Sequence, residues 1–252
     1  MMTGRLKNCL FVLPWLILLF FLLVGAIIYR REKVIASFAT SLKGRTPNQI
    51  HNLDLAGKTL NGIIIKPGDI FSFNKAVGPW SREKGYRKAP VSYTGLMVPA
   101  WGGGVCQAST TLYNAVLLAG LEIIERGPHY WAPNYISPGR DAAVAYGELD
   151  LKFRNNFPQP IRIRARIIGD KFLVQILSRY RPPYQVEILS EEEEIKPAKY
   201  TLIGELGATP KPKSGYRVNI YRVFLKDGKE INREILSSDE YPPLPKILYN
   251  IP

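Results

Sequence analysis

Hydrophobic and polar residues alternate through much of the chain beyond residue 60, which is the pattern of half-buried β-strands. The alternation is clearest in residues 149–154 and 161–167, where apolar residues occupy every second position and charged residues lie between them. Two more strand-like runs, residues 216–225 and 230–236, flank an Asp-Gly pair that is typical of a tight hairpin turn. These patterns predict an antiparallel sheet with a basic outer face, followed by a small C-terminal β extension.

Two regions have the spacing of a helix instead. Residues 34–60 predict a helix that is interrupted at Pro47. A second helix is predicted for residues 106–120, with Gly120 where a helix commonly ends. Its apolar face consists of Leu112, Ala115, Val116 and Ala119. The predicted fold class is therefore α+β, in which this core helix carries Cys106 at its N-terminus and packs on the antiparallel sheet.

Residues 9–29 form an uncharged and largely apolar run. At a helical rise of ~1.5 Å per residue the run spans about 30 Å, which matches the hydrocarbon core of a bilayer. The alternative is a cleaved signal peptide, but no clear small-x-small cleavage site follows the run, which is also longer than a usual signal core. We therefore expect an N-terminal transmembrane helix, a single-pass protein of the cell membrane, and a main domain outside the cytoplasm.

Three regions are predicted along the chain. Residues 1–33 are the membrane anchor, residues 34–190 the main domain, and residues 191–252 the C-terminal β extension. The second boundary lies at the acidic run Glu191–Glu194, which interrupts the strand pattern and is interpreted as a solvated connection.

A lone thiol follows a glycine-rich turn. Cys106 comes directly after Gly102–Val105 and falls in the first turn of the predicted helix. Free backbone amides at a helix N-terminus stabilise a thiolate, and the same amides can receive the oxyanion of a tetrahedral intermediate. Because Gly103 and Gly104 carry no side chains, we expect them to let a substrate carbonyl approach.

Candidate partners for the thiol follow it along the chain. His129 is a candidate base and Asp141 a candidate carboxylate that orients the base. A structural alternative is open for each: Cys106 as a buried core thiol, His129 as a hydrogen-bonded structural residue, and Asp141 as the cap of a turn. Because the other cysteine, Cys9, lies in the apolar N-terminal run, the exported part holds no disulfide partner for Cys106. This odd thiol favours the catalytic interpretation.

The chain carries 34 Lys and Arg against 21 Asp and Glu, a net charge of +13. For a protein outside the cytoplasm this excess indicates an anionic cell-wall polymer or phospholipid head groups as partner, and the compartment argues against nucleic acid. The alternative for any single lysine is that it simply lies on the solvated surface and binds no partner. One Cys and one His are too few soft ligands for a closed zinc site, so no metal and no cofactor are predicted.

Several sequence blocks, in order, resemble the VanW family. They are Pro67–Asn74, Val77–Pro79, Gly85-Tyr86, Gly102–Gln107, Ser109–Ala115, Glu125-Arg126 with His129, and Gly139–Ala142. Residues 45–167 carry this resemblance, and Tyr130 stands where some relatives have a serine. The resemblance implies an extracytoplasmic bacterial protein, linked to glycopeptide resistance and the cell wall, without a settled reaction. The run Tyr216–Tyr241 is similar to the β extension of other members and loosely to the five-glycine cell-wall adhesion module.

A cysteine at a helix start, followed by His and Asp on later strands, is similar in fold to transglutaminase-like cysteine peptidases. This resemblance implies that Cys106 attacks an amide carbonyl, that His129 transfers the proton and that Asp141 holds the imidazolium. It also implies that Gln107 and nearby amides bind the oxyanion. The walls of the cleft would then be Trp101, Tyr130 and Trp131.

The predicted function is a membrane-anchored, cysteine-dependent amide hydrolase or transpeptidase that acts on peptidoglycan peptides. The alternative is a non-catalytic cell-wall-binding or scaffolding domain, in which aromatic residues bind glycan and basic strands bind anionic polymer. This alternative explains the charge equally well. It does not explain a thiol at a glycine-flanked helix start.

Overall fold

The computed structural model describes residues 31–93, 96–197, 201–203, 212–244 and 247–249. The helices are α1 (Pro47–Leu60), α2 (Phe73–Val77) and α3 (Val105–Ala119). The strands are β1 (Lys33–Ser41), β2 (Ile64–Ile65), β3 (Ile70–Ser72), β4 (Lys88–Tyr93), β5 (Leu96–Trp101), β6 (Glu122–Glu125), β7 (Lys152–Arg154), β8 (Ile161–Ile168), β9 (Lys171–Ser178), β10 (Gln185–Ile195), β11 (Thr201–Ile203), β12 (Gly215–Lys226), β13 (Lys229–Tyr241) and β14 (Ile247–Tyr249). The contacts divide the chain into two units, Met1–Lys33 and Val34–Pro252.

A four-stranded sheet, ordered β1-β9-β8-β2, supports the helices. β8 and β9 are antiparallel neighbours, with Ile161 opposite Ser178. The alternation in β8 buries Ile161 and Ile163 and leaves Arg164 exposed. Burying one such aliphatic side chain contributes ~1.5–3 kcal/mol to the stability of the fold. A shift of one residue in the pairing of β8 would turn all of its buried side chains toward water. The hydrophobic pattern therefore fixes the register of this strand.

Helix α3 packs against β9, and helix α1 packs against β8. The predicted apolar face of α3 is buried: Leu112, Ala115, Val116 and Ala119. The helix ends at Gly120, whose φ of 78° lies in the left-handed region that closes many helices. It begins at Val105, one residue before the predicted start, so the thiol of Cys106 occupies its first turn.

Residues 34–60 do not form one interrupted helix. Residues 33–41 are β1, an edge strand paired with β9, and the helix begins only at Pro47. The Thr46 side chain accepts the backbone N–H of Gln49, and the Gln49 side chain accepts the backbone N–H of Thr46. Because proline has a fixed φ and no N–H, it suits the first position of a helix, and Pro47 marks the start of α1.

The single predicted sheet is divided among several. β7 pairs with β3 and β6 and does not join β8, and β10, β12 and β13 form another three-stranded sheet. The acidic run Glu191–Glu194, which we predicted as a solvated connection, lies within β10 and pairs with β12. Arg217 of β12 lies 2.9 Å from Glu193, so a cross-strand ion pair allows this run to be a strand.

The predicted fold class, an α+β fold with a transglutaminase-like core, is wrong. Strands predominate among the regular elements of the described residues. His129 and Asp141, expected on strands of the sheet that carries α3, lie in irregular segments instead. Pro128, Pro133 and Pro138 lie in this region, and a residue without an N–H cannot continue a strand ladder.

The predicted transmembrane helix, residues 9–29, lies outside the described residues. In the part of the chain that the structure describes, no helix has the length and apolar character needed to cross a membrane. The structure therefore does not support the localisation expected from the sequence, a single-pass protein of the cell membrane. The division of the chain at residues 33 and 190 stays a prediction.

Candidate active site

The turn before α3 consists of glycines because the backbone requires them. Gly102 and Gly104 have φ values of 79° and 106°, in the region that favours glycine. A Cβ on Gly103 would lie 2.7 Å from the carbonyl oxygen of Ala89, and one on Gly104 would lie 2.6 Å from that of Gln49. Gly103 and Gly104 therefore pack against the protein's own backbone, where we expected room for a substrate carbonyl.

The Cys106 thiol lies in the first turn of α3 and is half-buried. In its neutral form the thiol donates to the carbonyl oxygen of Val144, 3.5 Å away. The backbone N–H of Cys106 has no acceptor among the described residues, and the Gly102 carbonyl accepts from Val105. This free amide lies beside the thiol at the positive end of the helix, where it can bind an anion.

His129 and Asp141 lie on two segments that an isolated bridge between Gly127 and Ala143 holds together. Asp141 Oδ2 accepts from His129 Nδ1 at 2.5 Å and from the backbone N–H of His129 at 2.7 Å. The other ring nitrogen is left for Cys106, whose thiol is close enough to the imidazole for each group to shift the pKa of the other. The structure thus brings Cys106, His129 and Asp141 together in one series, with Asp141 hydrogen-bonded to the imidazole and the thiol beside it.

The electrostatics of this series favour an ion pair between thiol and imidazole. Burial would raise the pKa of Cys106, but the hydrogen bond and charge of His129 outweigh burial and place that pKa below its ordinary value. Burial would lower the pKa of His129, yet hydrogen bonds to Asp141 and Cys106 raise it to about 10. Burial would also raise the pKa of Asp141, but His129 and then Arg126 hold it below its usual range. These shifts favour a thiolate–imidazolium pair beside an ionised Asp141.

Polar residues on α3 hold the segment that carries Asp141. The Ser109 hydroxyl donates to the carbonyl of Ala142 at 2.6 Å. The Asn114 side chain donates to the carbonyl of Arg140 at 2.7 Å. Because the thiol lies on the same helix, α3 fixes the distance between the nucleophile and the carboxylate.

Sequence reasoning missed three residues of this site, Arg126, Asp239 and Tyr241. The Arg126 guanidinium lies 3.0 Å from Asp141 Oδ1 and 2.6 Å from Asp239 Oδ2. The Tyr241 hydroxyl donates to Asp141 Oδ1 at 2.5 Å. Tyr241 is 100 residues from Asp141 along the chain, so no local spacing connects the two. The sequence signal that could have pointed to these residues was Arg126, because it belongs to a block that resembles the VanW family.

The other predicted site residues do not join this series. Gln107 is buried, and both hydrogens of its side-chain amide are donated to β1 at 2.9 Å, so none is left for an oxyanion. Trp101 lies on β5 with the ammonium of Lys88 over its ring. Tyr130 is 62% exposed and its ring lies 5.7 Å from that of Trp131.

A pocket of about 330 Å³ lies beside the segment that follows His129. Its walls come from residues 131–134, from Ile136 and Pro138, and from Lys213, Ser214, Tyr216 and Pro242. The Trp131 ring nitrogen is buried and has no hydrogen-bond partner in the described ranges. Within those ranges, no three His, Cys, Asp or Glu side chains are grouped so as to hold a metal ion. The pocket therefore offers aromatic surface and a lysine.

Known sequences are similar to this chain over its central part. The family model described as VanW like protein matches residues 48–177. The chain is 38% identical over 144 residues to the uncharacterized protein YoaR of Bacillus subtilis (strain 168), covering 57% of this chain and 48% of that protein. It is 34% identical over 140 residues to the vancomycin B-type resistance protein VanW of Enterococcus faecalis (strain ATCC 700802 / V583), covering 54% of this chain and 51% of that protein. The chain thus spans about half the length of these relatives.

Two solved structures are similar over a smaller part of the chain. The IgA1 protease G5 domain is 24% identical, with a TM-score of 0.19, over 28% of this chain and 90% of that structure. HP0197-G5 is 19% identical, with a TM-score of 0.17, over 26% of this chain and 95% of that structure. At these TM-scores neither likeness supports a conclusion about fold or ligand.

Proposed function

The chain belongs to the VanW-like protein family, and we propose that it is a cell-wall-related protein whose Cys106 thiolate attacks amide bonds of peptidoglycan peptides. The observation that carries this proposal is the series Cys106–His129–Asp141, with His129 Nδ1 2.5 Å from Asp141 Oδ2. A cysteine that only fills the core needs neither an imidazole partner nor a carboxylate behind that imidazole.

In the proposed reaction, the Cys106 thiolate forms a bond to the amide carbonyl carbon while His129 holds the former thiol proton. The tetrahedral oxyanion then collapses, the C–N bond breaks, and His129 donates its proton to the leaving amine. Water or a second amine attacks the resulting thioester, and His129 accepts the proton of that nucleophile. The C–S bond then breaks, which releases the acyl product and regenerates the Cys106 thiolate. Water makes the protein a hydrolase, and an amine makes it a transpeptidase. Asp141 stays ionised and keeps the imidazole oriented throughout.

The backbone N–H of Cys106 is the proposed donor to the oxyanion. It has no acceptor among the described residues and lies next to the attacking sulfur. One such donor contributes roughly 3–4 kcal/mol to transition-state stabilisation. The side chain of Gln107 has no part in this step, since β1 uses both of its amide hydrogens.

The substrate class is inferred from the relatives and from charge. One relative is named a vancomycin B-type resistance protein. The net charge of +13 suits an anionic cell-wall polymer. The 330 Å³ pocket would bind a part of the substrate that does not react, with Trp131 and Tyr216 against apolar or sugar surface and Lys213 against a carboxylate.

A non-catalytic cell-wall-binding domain is the second candidate. The exposed rings of Tyr130 and Trp101, together with the positive charge, suit polymer binding without any chemistry. This candidate leaves the pairing of Cys106 with His129 unexplained, so it ranks second.

The deciding experiment follows the thiol. In a Cys9→Ser protein, Cys106 is the sole cysteine. After incubation with isolated peptidoglycan, we expect an acyl adduct on Cys106 by intact-mass spectrometry and new muropeptides by liquid chromatography. Both should be absent with Cys106→Ala in the same background. Binding to peptidoglycan with neither adduct nor new muropeptides would favour the non-catalytic domain.

A further inference from the structure

We propose that Tyr241 and Asp239, on the C-terminal strand β13, are positioning residues that keep Asp141 fixed behind the thiol–imidazole pair. The proposal rests on the function proposed for Cys106. It extends the site into a part of the chain that contains neither cysteine nor histidine. The Asp141 carboxylate is shared among several donors, and β13 supplies one of them.

The two oxygens of Asp141 serve different partners. Among the residues that the structure describes, Oδ2 accepts only from His129, through the ring Nδ1 and the backbone N–H. Oδ1 accepts from the Tyr241 hydroxyl at 2.5 Å and from Arg126 at 3.0 Å. Because both oxygens are bonded, the carboxylate cannot rotate without losing a hydrogen bond. The partners of Oδ1 therefore determine how Oδ2 faces the imidazole.

The direction of the Tyr241 hydrogen bond is fixed by its other contacts. The hydroxyl oxygen accepts the N–H of Gly139 at 2.9 Å and an N–H of Arg126 at 3.3 Å. Both groups can only donate, so the single hydroxyl proton is left for Asp141. Tyr241 has no exposed surface, so bulk water does not compete for that proton.

Asp239 acts through Arg126. The guanidinium lies between the carboxylates of Asp141 and Asp239, and its side chain is 5% exposed. Asp239 also accepts from the Ser237 hydroxyl at 2.9 Å, which holds it on β13. Without Asp239, the guanidinium would face a single carboxylate and draw Asp141 away from His129. Asp239 thus leaves the charge of Asp141 available to the imidazolium.

Strand β13 lies outside the segment that matches the family model, residues 48–177. It reaches the site because it pairs with β12 in antiparallel register, with Tyr241 opposite Tyr216. The side chain of Tyr241 packs in a small buried cluster with Val218 and Ile220 of β12. The sheet therefore holds the tyrosine at the carboxylate.

The test measures the thiol and imidazole pKa values directly. Cys9→Ser and His51→Gln leave Cys106 as the sole thiol and His129 as the sole imidazole. In this background, iodoacetamide alkylation rates against pH give the thiol pKa, and NMR of the ring gives the imidazole pKa. Neither measurement requires a substrate.

We expect Tyr241→Phe to raise the thiol pKa by about one unit, which is a tenfold smaller thiolate fraction below that pKa. The physical reason is that Oδ1 would keep only Arg126, the carboxylate would turn toward the guanidinium, and the imidazolium pKa would fall. The matched control is Tyr221→Phe on β12. Its hydroxyl bonds the exposed Glu191 at 3.0 Å, so the control also loses a tyrosine–carboxylate hydrogen bond in the same sheet. It should leave both pKa values unchanged.

Every outcome is decisive. A lowered unfolding temperature with unchanged thiol and imidazole pKa values in Tyr241→Phe would overturn the positioning role and leave the proposed function standing. An ordinary thiol pKa already in the background protein would remove the proposed function and this proposal together. If Tyr241→Phe does not fold, Asp239→Asn replaces it and must raise the thiol pKa. An unchanged thiol pKa in that variant would overturn the proposal.

Discussion

Asp141→Asn should weaken the fold as well as the site. The carboxylate has no exposed surface and accepts hydrogen bonds from His129, Arg126 and Tyr241. Asparagine places an NH₂ group where one carboxylate oxygen was, so the N–H or O–H groups that bonded this oxygen would face another hydrogen-bond donor. Breaking a buried charged pair from one side costs about 3–5 kcal/mol. At ~2–4 °C per kcal/mol for a chain of this size, the unfolding temperature should fall by roughly 6–20 °C.

The assay is thermal unfolding followed by circular dichroism, with Asp227→Asn as the matched control. Asp227 is exposed in the β12–β13 hairpin with a φ of 52°, a conformation that asparagine tolerates. The control should change the free energy of unfolding by no more than about 0.5 kcal/mol. Equal unfolding temperatures for Asp141→Asn and the unsubstituted protein would refute the buried carboxylate network.

Two further predictions concern the same region. Gly104→Ala should lower the free energy of unfolding by about 2–4 kcal/mol in urea titrations, because φ is 106° and the new Cβ would lie 2.6 Å from the Gln49 carbonyl oxygen. Gly228→Ala, at φ 73° with open space around it, is the control, and equal losses would contradict the close approach to Gln49. Because the pKa of Asp141 is depressed, its stabilisation is present above its unfolded pKa and is lost as the pH falls through its folded pKa. From about pH 5 to 2 the unsubstituted protein should therefore lose more stability than Asp141→Asn, and parallel curves would argue against the depressed pKa.

Local patterns predicted the elements that local chemistry determines. Helix α3 has the predicted apolar face and ends at Gly120, and strand β8 has the predicted alternation. The hairpin between β12 and β13 turns at Asp227-Gly228, where both φ values are positive. In each case the residues that specify the element lie within it, so the sequence alone is sufficient to predict that element.

Elements that depend on distant partners were predicted wrongly. Residues 34–41 are a strand because β9 pairs with them, and their own pattern does not distinguish the two states. The run Glu191–Glu194 is a strand because it pairs with β12 along its whole length, with Arg217 opposite Glu193. Pairing with a distant strand determined the secondary structure of both segments. Propensity and charge alone therefore predicted the wrong structure for them.

The same limit applies to the candidate site. The order Cys106, His129, Asp141 is visible in the sequence, but the donors to the second oxygen of Asp141 are not. Arg126 precedes the carboxylate by 15 residues, whereas Tyr241 follows it by 100 and becomes adjacent only through the sheet. Gly103 and Gly104 show the opposite case. A glycine-rich turn is typical of a ligand site, but here these glycines allow close packing of backbone against backbone.

The position of Tyr241 has a consequence for the family. A buried carboxylate oxygen that loses a donor costs free energy, about 1–3 kcal/mol or more for a charged group. Residues 48–177, the matched segment, contain Cys106, His129, Asp141 and Arg126 but not Tyr241. A relative with the same three-residue series and no strand equivalent to β13 must therefore supply another buried donor to that oxygen, or its thiol will have a higher pKa. Measuring the thiol pKa in such a relative would separate the contribution of the matched segment from that of the C-terminal sheet.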